Sequence, residues 1–244
     1  MNFARMRTAR SNTAGFTRTE LLVLLGVGAI LSGVLGADLN QAKLKLLQQA
    51  CAANLKQWGL AINLYAQDYN GRCYYVSGGS EVFDDNSSPY LKYLGGGNAS
   101  LTMRTIRCCP EVAARMTRNQ INGAGIYTYS MPIPKALGGR GGTYVDYDTL
   151  GDAFNMFFPL NRVVNQSQYL LMIDSSGHTM HCAQLVSGTS GIPVGDTVRA
   201  IDRHGGSVNC LFGDFHVELV SAQTVSNQAA LCGSSPPSLW FLLN

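Results

Sequence analysis

The chain has 244 residues, with 18 Lys and Arg against 15 Asp and Glu, and its length suits one domain of ordinary size or one domain plus an appendage. The excess positive charge sits at one end, since residues 1–15 hold Arg5, Arg7 and Arg10 and no acid; the neutral remainder argues against nucleic-acid binding driven by bulk charge. Seven cysteines without a Cys-x-x-Cys pair argue against a structural zinc site and for an exported domain with disulfides, the odd count leaving at least one thiol unpaired within the chain.

Residues 1–15 read as a basic leader that inserts positive-inside. An apolar run follows from Leu21 to Ala37, 17 residues, short of the roughly 20 that a plain transmembrane helix needs. Counting from Phe16 gives 22 residues, but with Arg18 and Glu20 inside. A secretory signal would use Gly33, Gly36 or Ala37 as its small-residue cleavage site. Neither reading accounts for an acid at the mouth of the run.

The stretch Gly15-Phe16-Thr17-Arg18-Thr19-Glu20-Leu21-Leu22 resembles the processing site of type IV prepilins and pseudopilins. The resemblance implies that a prepilin peptidase cuts after Gly15 and methylates the new N-terminus, Phe16. It also implies that Glu20, fifth in the mature chain, is an assembly contact to the N-terminal ammonium of a neighbouring subunit. A carboxylate at mid-bilayer costs roughly 2.5–3.5 kcal/mol and usually has a partner. A glutamate at the interface end of an anchor helix would need none. Arg18 and Thr19 depart from the family pattern, which has apolar residues there. The family's frequent helix proline is missing, and Gly26, Gly28, Gly33 and Gly36 offer local weakness instead.

After Asp38, Leu44, Leu47, Cys51, Leu55, Trp58, Ile62, Tyr65 and Tyr69 recur at steps of three and four, one stripe of an amphipathic helix. No proline interrupts Phe16 to Tyr69, and Asn70-Gly71 supplies a stop, so one helix of 54 residues is predicted. Its first half belongs in lipid. The second half packs on a head, with a coiled coil as the alternative.

The segment Cys51 to Arg72, CAANLKQWGLAINLYAQDYNGR, is similar to the post-membrane helix of a pilin-like group common in planctomycetes and their relatives. That group also carries a histidine followed, nine residues on, by Asp-Gly. His204 and Asp214 have nine residues between them, although Phe215 stands in place of the glycine. Cys109-Pro110 echoes the group's Cys-Pro. The resemblance implies an α+β fold in which a long N-terminal helix packs on an antiparallel sheet. The organisation expected is a leader at 1–15, a transmembrane half-helix at 16–37, an amphipathic half-helix at 38–70 and a head at 71–244. Cys51 and Cys109 are the expected disulfide pair, with Cys108 an equal candidate and reduced buried thiols the alternative.

In the head, strands are predicted at Ile126–Met131, Tyr169–Ile173, Val198–Ile201, Val208–Phe212 and Phe215–Val220. The last two flank Gly213-Asp214 and read as a hairpin, with Val208, Cys210 and Phe212 on one face. Gly95–Gly97 and Gly138–Gly142 read as loops.

His204, Asp214 and His216 are candidate metal ligands by residue type, but the preferred reading has Asp214 capping the turn and His204 bonding backbone in the preceding loop. Acidic segments Glu81–Asn86 and Tyr144–Asp148 could supply oxygens for a structural calcium, and solvated loops are the simpler account. Asp174, Ser175 and His178 have the residue types of a hydrolytic triad but are local neighbours, and no enzyme is expected. The function expected is a pilin-like or pseudopilin subunit of a type II secretion or type IV pilus-like system. Its partners would be the prepilin peptidase, other such subunits, an inner-membrane assembly platform and the lipid bilayer, with the head on the periplasmic side. The alternative is a membrane-anchored module that binds a surface ligand such as a glycan.

Overall fold

The computed structural model describes residues 15–76, 88–94, 105–115, 128–133, 155–163, 165–175, 179–181 and 200–230, without the side chains of 31–38, 75–76, 132–133, 155–159, 162, 179–181 and 229–230. The chain divides into two compact units, Met1–Lys43 and Leu44–Asn244. The architecture is α+β. Helix α1 (Arg18–Asp68) has 51 residues against the 54 predicted.

Both ends of α1 are closed by local chemistry. At the start, the Glu20 amide donates to Thr17 Oγ1 (3.3 Å), and the Thr17 amide donates to Glu20 Oε2 (2.8 Å). These two bonds form a capping box, satisfying two backbone donors that a helix end leaves without partners. At the other end Asn70 adopts φ 54° and the Gly71 amide reaches back to the Ala66 carbonyl at 2.7 Å. This is a Schellman closure with asparagine in the left-handed position.

In the first unit, Phe16, Leu21, Leu22, Val23, Leu24, Leu25, Val27 and Ile30 are all exposed. Among the described residues no helix is long and apolar enough to cross a membrane. In the second unit, Cys51, Leu55, Trp58, Ile62 and Tyr65 are buried, as their spacing predicts. The stripe is shorter than its pattern, for Leu44 and Tyr69 are exposed and Leu47 is half-buried. Trp58 Nε1 donates to the Ile106 carbonyl at 3.1 Å, so the largest buried ring is also hydrogen-bonded. Tyr65 packs edge-on to Tyr90 and Tyr93 and stacks on Tyr69.

Strand β1 (Arg72–Val76) pairs antiparallel with β3 (Asn155–Pro159) in a separate two-stranded ribbon. The main sheet contains β2 (Tyr129–Ile133), β4 (Leu170–Asp174), β5 (Thr179–His181), β6 (Ser207–Phe212) and β7 (Val217–Ser221) in the order β5-β2-β4-β6-β7. Four strands are antiparallel, but β5 runs parallel to β2, which corrects the expectation of a wholly antiparallel sheet. Of the predicted strand at Val198–Ile201, residues 198–199 lie outside the described residues and Ala200 forms an isolated bridge with Ser175. The pattern did not indicate β1, β3 or β5. Gly95–Gly97 and Gly138–Gly142 lie outside the described residues. The described residues also include the short α-helices α2 (Pro110–Ala113) and α3 (Ala222–Ala230).

Strand β6 alternates cleanly. Val208, Cys210 and Phe212 join one apolar cluster with Ile173, Val220 and Val225 of α3, while Leu211 joins the cluster that contains the α1 stripe. Strand β4 does not alternate, because a register shift falls between Leu170 and Met172. Leu171 and Met172 therefore both lie in the α1 cluster, with Leu170 and Ile173 in the other. A bulge of this kind inverts the pleat beyond it. Without it Asp174 would fall on the same face as Leu170.

The β6–β7 hairpin forms as predicted, except that Phe215 and His216 belong to the turn. Phe215 has φ 68°, a left-handed conformation that costs a residue with a β-carbon about 1–2 kcal/mol. Its side chain packs against the core, and a β-carbon placed on Gly59 of α1 would lie 3.4 Å from Phe215 Cβ and 3.0 Å from Leu211 Cδ1. Ring burial thus offsets the backbone strain. The melting temperatures of the full chain are expected to fall in the order wild type, Phe215→Gly, Phe215→Ala, because alanine keeps the strain and loses the ring. A Phe215→Gly chain that melts above wild type would show that the ring does not compensate.

Candidate functional site

Four segments far apart in sequence converge beneath the α1 face of the sheet. Cys51 comes from α1. Cys109 precedes α2, its backbone at φ −60° and ψ 128° turning the chain into Pro110 at the first helical position. Asp174 ends β4, placed there by the bulge. His204 lies in the turn entering β6, its amide bonded to the Ser207 carbonyl at 3.2 Å. One thiol sulfur, one carboxylate oxygen or one ring nitrogen from each of the four falls within 4.8 Å of the others.

All four side chains are sequestered. Asp174, Cys51 and Cys109 have no exposed surface, and the His204 side chain is 1% exposed. Cys51 Sγ lies 3.1 Å from Asp174 Oδ1 and 3.1 Å from the Tyr129 hydroxyl. His204 Nε2 lies 3.2 Å from Asp174 Oδ2 and 3.8 Å from Cys109 Sγ. The Asn209 amide donates to Asp174 Oδ2 at 3.1 Å. On the far side of the imidazole, Nδ1 lies 3.2 Å from Glu111 Oε2, within ion-pair reach but outside hydrogen-bond alignment. Glu111 is itself gripped by Arg115 at 2.7 Å.

Arg203, buried beside His204 in sequence, donates to the carbonyls of Thr128 (3.2 Å) and Ser175. The Thr128 hydroxyl accepts from the Cys109 amide, so one short segment links the histidine loop, β4 and the approach to α2.

Electrostatics differentiate the two thiols. Burial pushes Cys51 well above the ordinary thiol range, helped by its hydrogen bond to Cys109 and the charge of Asp174. Cys109 moves down to about 6, chiefly through that same hydrogen bond, with His204 adding to it against the effect of burial. Burial works against the His204 cation, but hydrogen bonds to Asp174 and Cys109 outweigh it and raise the imidazole to about 10. Cys109, His204 and Asp174 therefore have the residue types of a nucleophile, base and orienting acid. Their burial argues against that use, because a substrate carbonyl has no approach to a thiol with no exposed surface.

Of the candidate residues His204, Asp214 and His216, the last two are in contact but His204 is not brought to them. Six residues of β6 span roughly 20 Å at 3.3 Å each, so the nine-residue spacing sets His204 and Asp214 at opposite ends of a strand. Asp214 caps its turn as expected, accepting from the His216 amide at 3.2 Å and pairing with His216 Nδ1. His204 does not settle on loop backbone through its ring. It faces two buried carboxylates.

Cys51 and Cys109, the expected disulfide pair, are brought together but stand as free thiols. Glu81–Asn86, Tyr144–Asp148 and His178 lie outside the described residues. Spacing did not indicate Asp174 and Tyr129 as partners of Cys51, or Glu111 as a partner of His204. The available signal was an acid closing a fully apolar run, Tyr169 to Ile173.

Arg203→Lys is expected to lower stability by about 1–3 kcal/mol, since an ammonium cannot match the two-carbonyl grip of a guanidinium in a buried loop. Denaturant unfolding of the two proteins measures this, and an unchanged midpoint would deny Arg203 that fastening role. No protein-family model, no curated protein and no solved structure matches the chain.

Proposed function

We propose that the chain is a pilin-like structural subunit of a type II secretion or type IV pilus-like system. A prepilin peptidase cuts it between Gly15 and Phe16 and methylates Phe16. The retained helix then holds it in the inner membrane among other such subunits, above an assembly platform, with the head on the periplasmic side.

The observation that carries this reading is the form of the N-terminus. Gly15, Phe16 and Thr17 are non-helical and exposed, Phe16 by 76%, and α1 begins immediately after them. A peptidase needs non-helical, accessible backbone at the bond it cuts, and Gly15 and Phe16 are both. Beyond it, large apolar side chains from Leu21 to Ile30 are exposed around the helix. Exposed apolar surface on this scale marks a segment that lipid or neighbouring helices cover. The sequence carries the apolar run on to Ala37.

Glu20 has two separable duties in this account. Its carboxylate closes the capping box, which a neutral glutamine could also do. Its negative charge would meet the ammonium of Phe16 on an adjacent subunit once the leader is gone, and glutamine could not do that. Glu20→Gln is therefore expected to abolish assembly, read by cross-linking in the membrane, while leaving helix content unchanged. Thr17→Ala removes the cap but keeps the charge, and is expected to assemble with a loss of about 1 kcal/mol in helix stability. Normal assembly of Glu20→Gln would reduce Glu20 to a cap and favour a membrane-anchored binding module. Mass spectrometry of the mature protein is the broader test, with a methylated chain starting at Phe16 expected. A chain that keeps residues 1–15, or starts after Ala37, would sink the proposal.

A further inference from the structure

We propose that Cys51, Cys109, Asp174 and His204 form a structural zinc site that fastens α1 to the sheet. The inference does not depend on the pilin-like reading, since it rests on the second unit alone.

Number and kind of donor come first. Zinc in structural sites takes four ligands, with sulfur at about 2.3 Å and nitrogen or oxygen at about 2.0–2.2 Å. A tetrahedron of that size separates its ligand atoms by about 3.3–3.8 Å. The separations here include 3.1 Å (Cys51 Sγ to Asp174 Oδ1) and 3.8 Å (Cys109 Sγ to His204 Nε2), and each of the four residues offers a ligand atom within 4.8 Å of the others. Two thiolates with an imidazole suit zinc, whereas calcium and magnesium take oxygen shells. Complete burial and four protein donors describe a closed structural site, with no position open for a reacting water.

The surroundings are those of a held metal ligand set. A zinc-bound histidine usually presents its second nitrogen to a carboxylate, which fixes the ring. His204 Nδ1 faces Glu111 Oε2, and Arg115 anchors that carboxylate. Asp174 Oδ2 already takes the Asn209 amide, which leaves Oδ1, the oxygen beside Cys51, as the donor. The Tyr129 hydroxyl stands 3.1 Å from Cys51 Sγ, placed to donate to a thiolate. Two thiolates and a carboxylate around a dication leave one negative charge, and the buried Arg203 guanidinium brings a compensating positive charge to the same loop.

A Cys51–Cys109 disulfide would use the same sulfurs. It would satisfy two of the four groups and give no reason for a carboxylate and an imidazole to converge on both sulfurs inside the core. The two states are mutually exclusive and chemically distinguishable, because zinc binding releases protons and a disulfide removes two hydrogens from the mass.

The test uses the full chain purified under reduction without chelator. Elemental analysis is expected to give one zinc per chain. Replacement by Co2+ is expected to give the intense thiolate-to-metal absorption of tetrahedral sulfur coordination. Cys51→Ser, Cys109→Ser, Asp174→Asn and His204→Gln are each expected to lower zinc affinity at least 100-fold. Cys73→Ser and His216→Gln are expected to leave it within twofold. Glu111→Gln, which preserves the ligands, is expected to cost about 10–100-fold. Should a ligand variant fail to fold, zinc stoichiometry and the cobalt spectrum of the wild-type chain still decide the matter. Absence of zinc after supplementation, a cobalt spectrum without sulfur ligation, or a Cys51–Cys109 linked peptide in the zinc-supplemented protein would overturn the proposal.

Discussion

A carboxylate with no exposed surface governs the arrangement of the second unit. Asp174 ends a strand whose other residues are apolar, and leaving such a group ionised and unpartnered in the core would cost several kcal/mol. Its partners are the Asn209 amide of β6, the Cys51 thiol of α1 and the His204 ring of the intervening loop. Three elements are thereby required to arrive at one point. Apolar packing between the helix stripe and the sheet tolerates small shifts of register, because it has little direction. The bonds to Asp174 do not tolerate them, so hydrophobic burial supplies the adhesion and the carboxylate fixes the position.

The bulge in β4 makes this arrangement accessible. A regular strand starting with Leu170 on the α3 face would return residue 174 to that face, among Val208, Cys210 and Val220. Inserting one residue between Leu170 and Met172 sends Asp174 toward the helix. The same irregularity places Leu171 and Met172 together against the α1 stripe, which enlarges the core on the side that holds the buried charge. Glu111 and Arg115 extend the polar network outward along α2, and Arg203 ties the histidine loop back to the backbone of β4 and the approach to β2.

Local and periodic features of the fold were legible in the sequence. The helix declared itself through spacing and the absence of proline, its end through Asn70-Gly71, and the last hairpin through Gly213-Asp214. Thr17-x-x-Glu20 carries a capping-box signature, yet the family resemblance alone directed Glu20 to an intermolecular role. Strands β1 and β3 escaped notice because, among the described residues, they pair with each other alone, and neither sequence shows the alternation of a half-buried strand in a larger sheet. The convergent cluster was beyond local reading. Cys51 and Asp174 lie 123 positions apart, and Cys109 and His204 lie 95 apart, so no spacing rule for metal ligands applies. Absence of Cys-x-x-Cys argues against compact zinc modules but says nothing about ligands delivered by four separate elements. The His204–Asp214 spacing pointed to the right histidine for the wrong reason, because it measures the length of a strand.

That strand length carries an evolutionary consequence. Every residue of β6 has a fixed parity: Asn209 presents its amide to Asp174, Leu211 meets the helix, and their neighbours meet α3. Adding or deleting one residue would exchange the two faces from that point to the turn. Change by two would restore the faces but displace the turn beyond Gln166 and Tyr169, whose carbonyls hold Asp214 and Gly213. The segment can therefore drift in composition while its length stays fixed, and a relative could be recognised by that invariant interval where little else in the sequence survives.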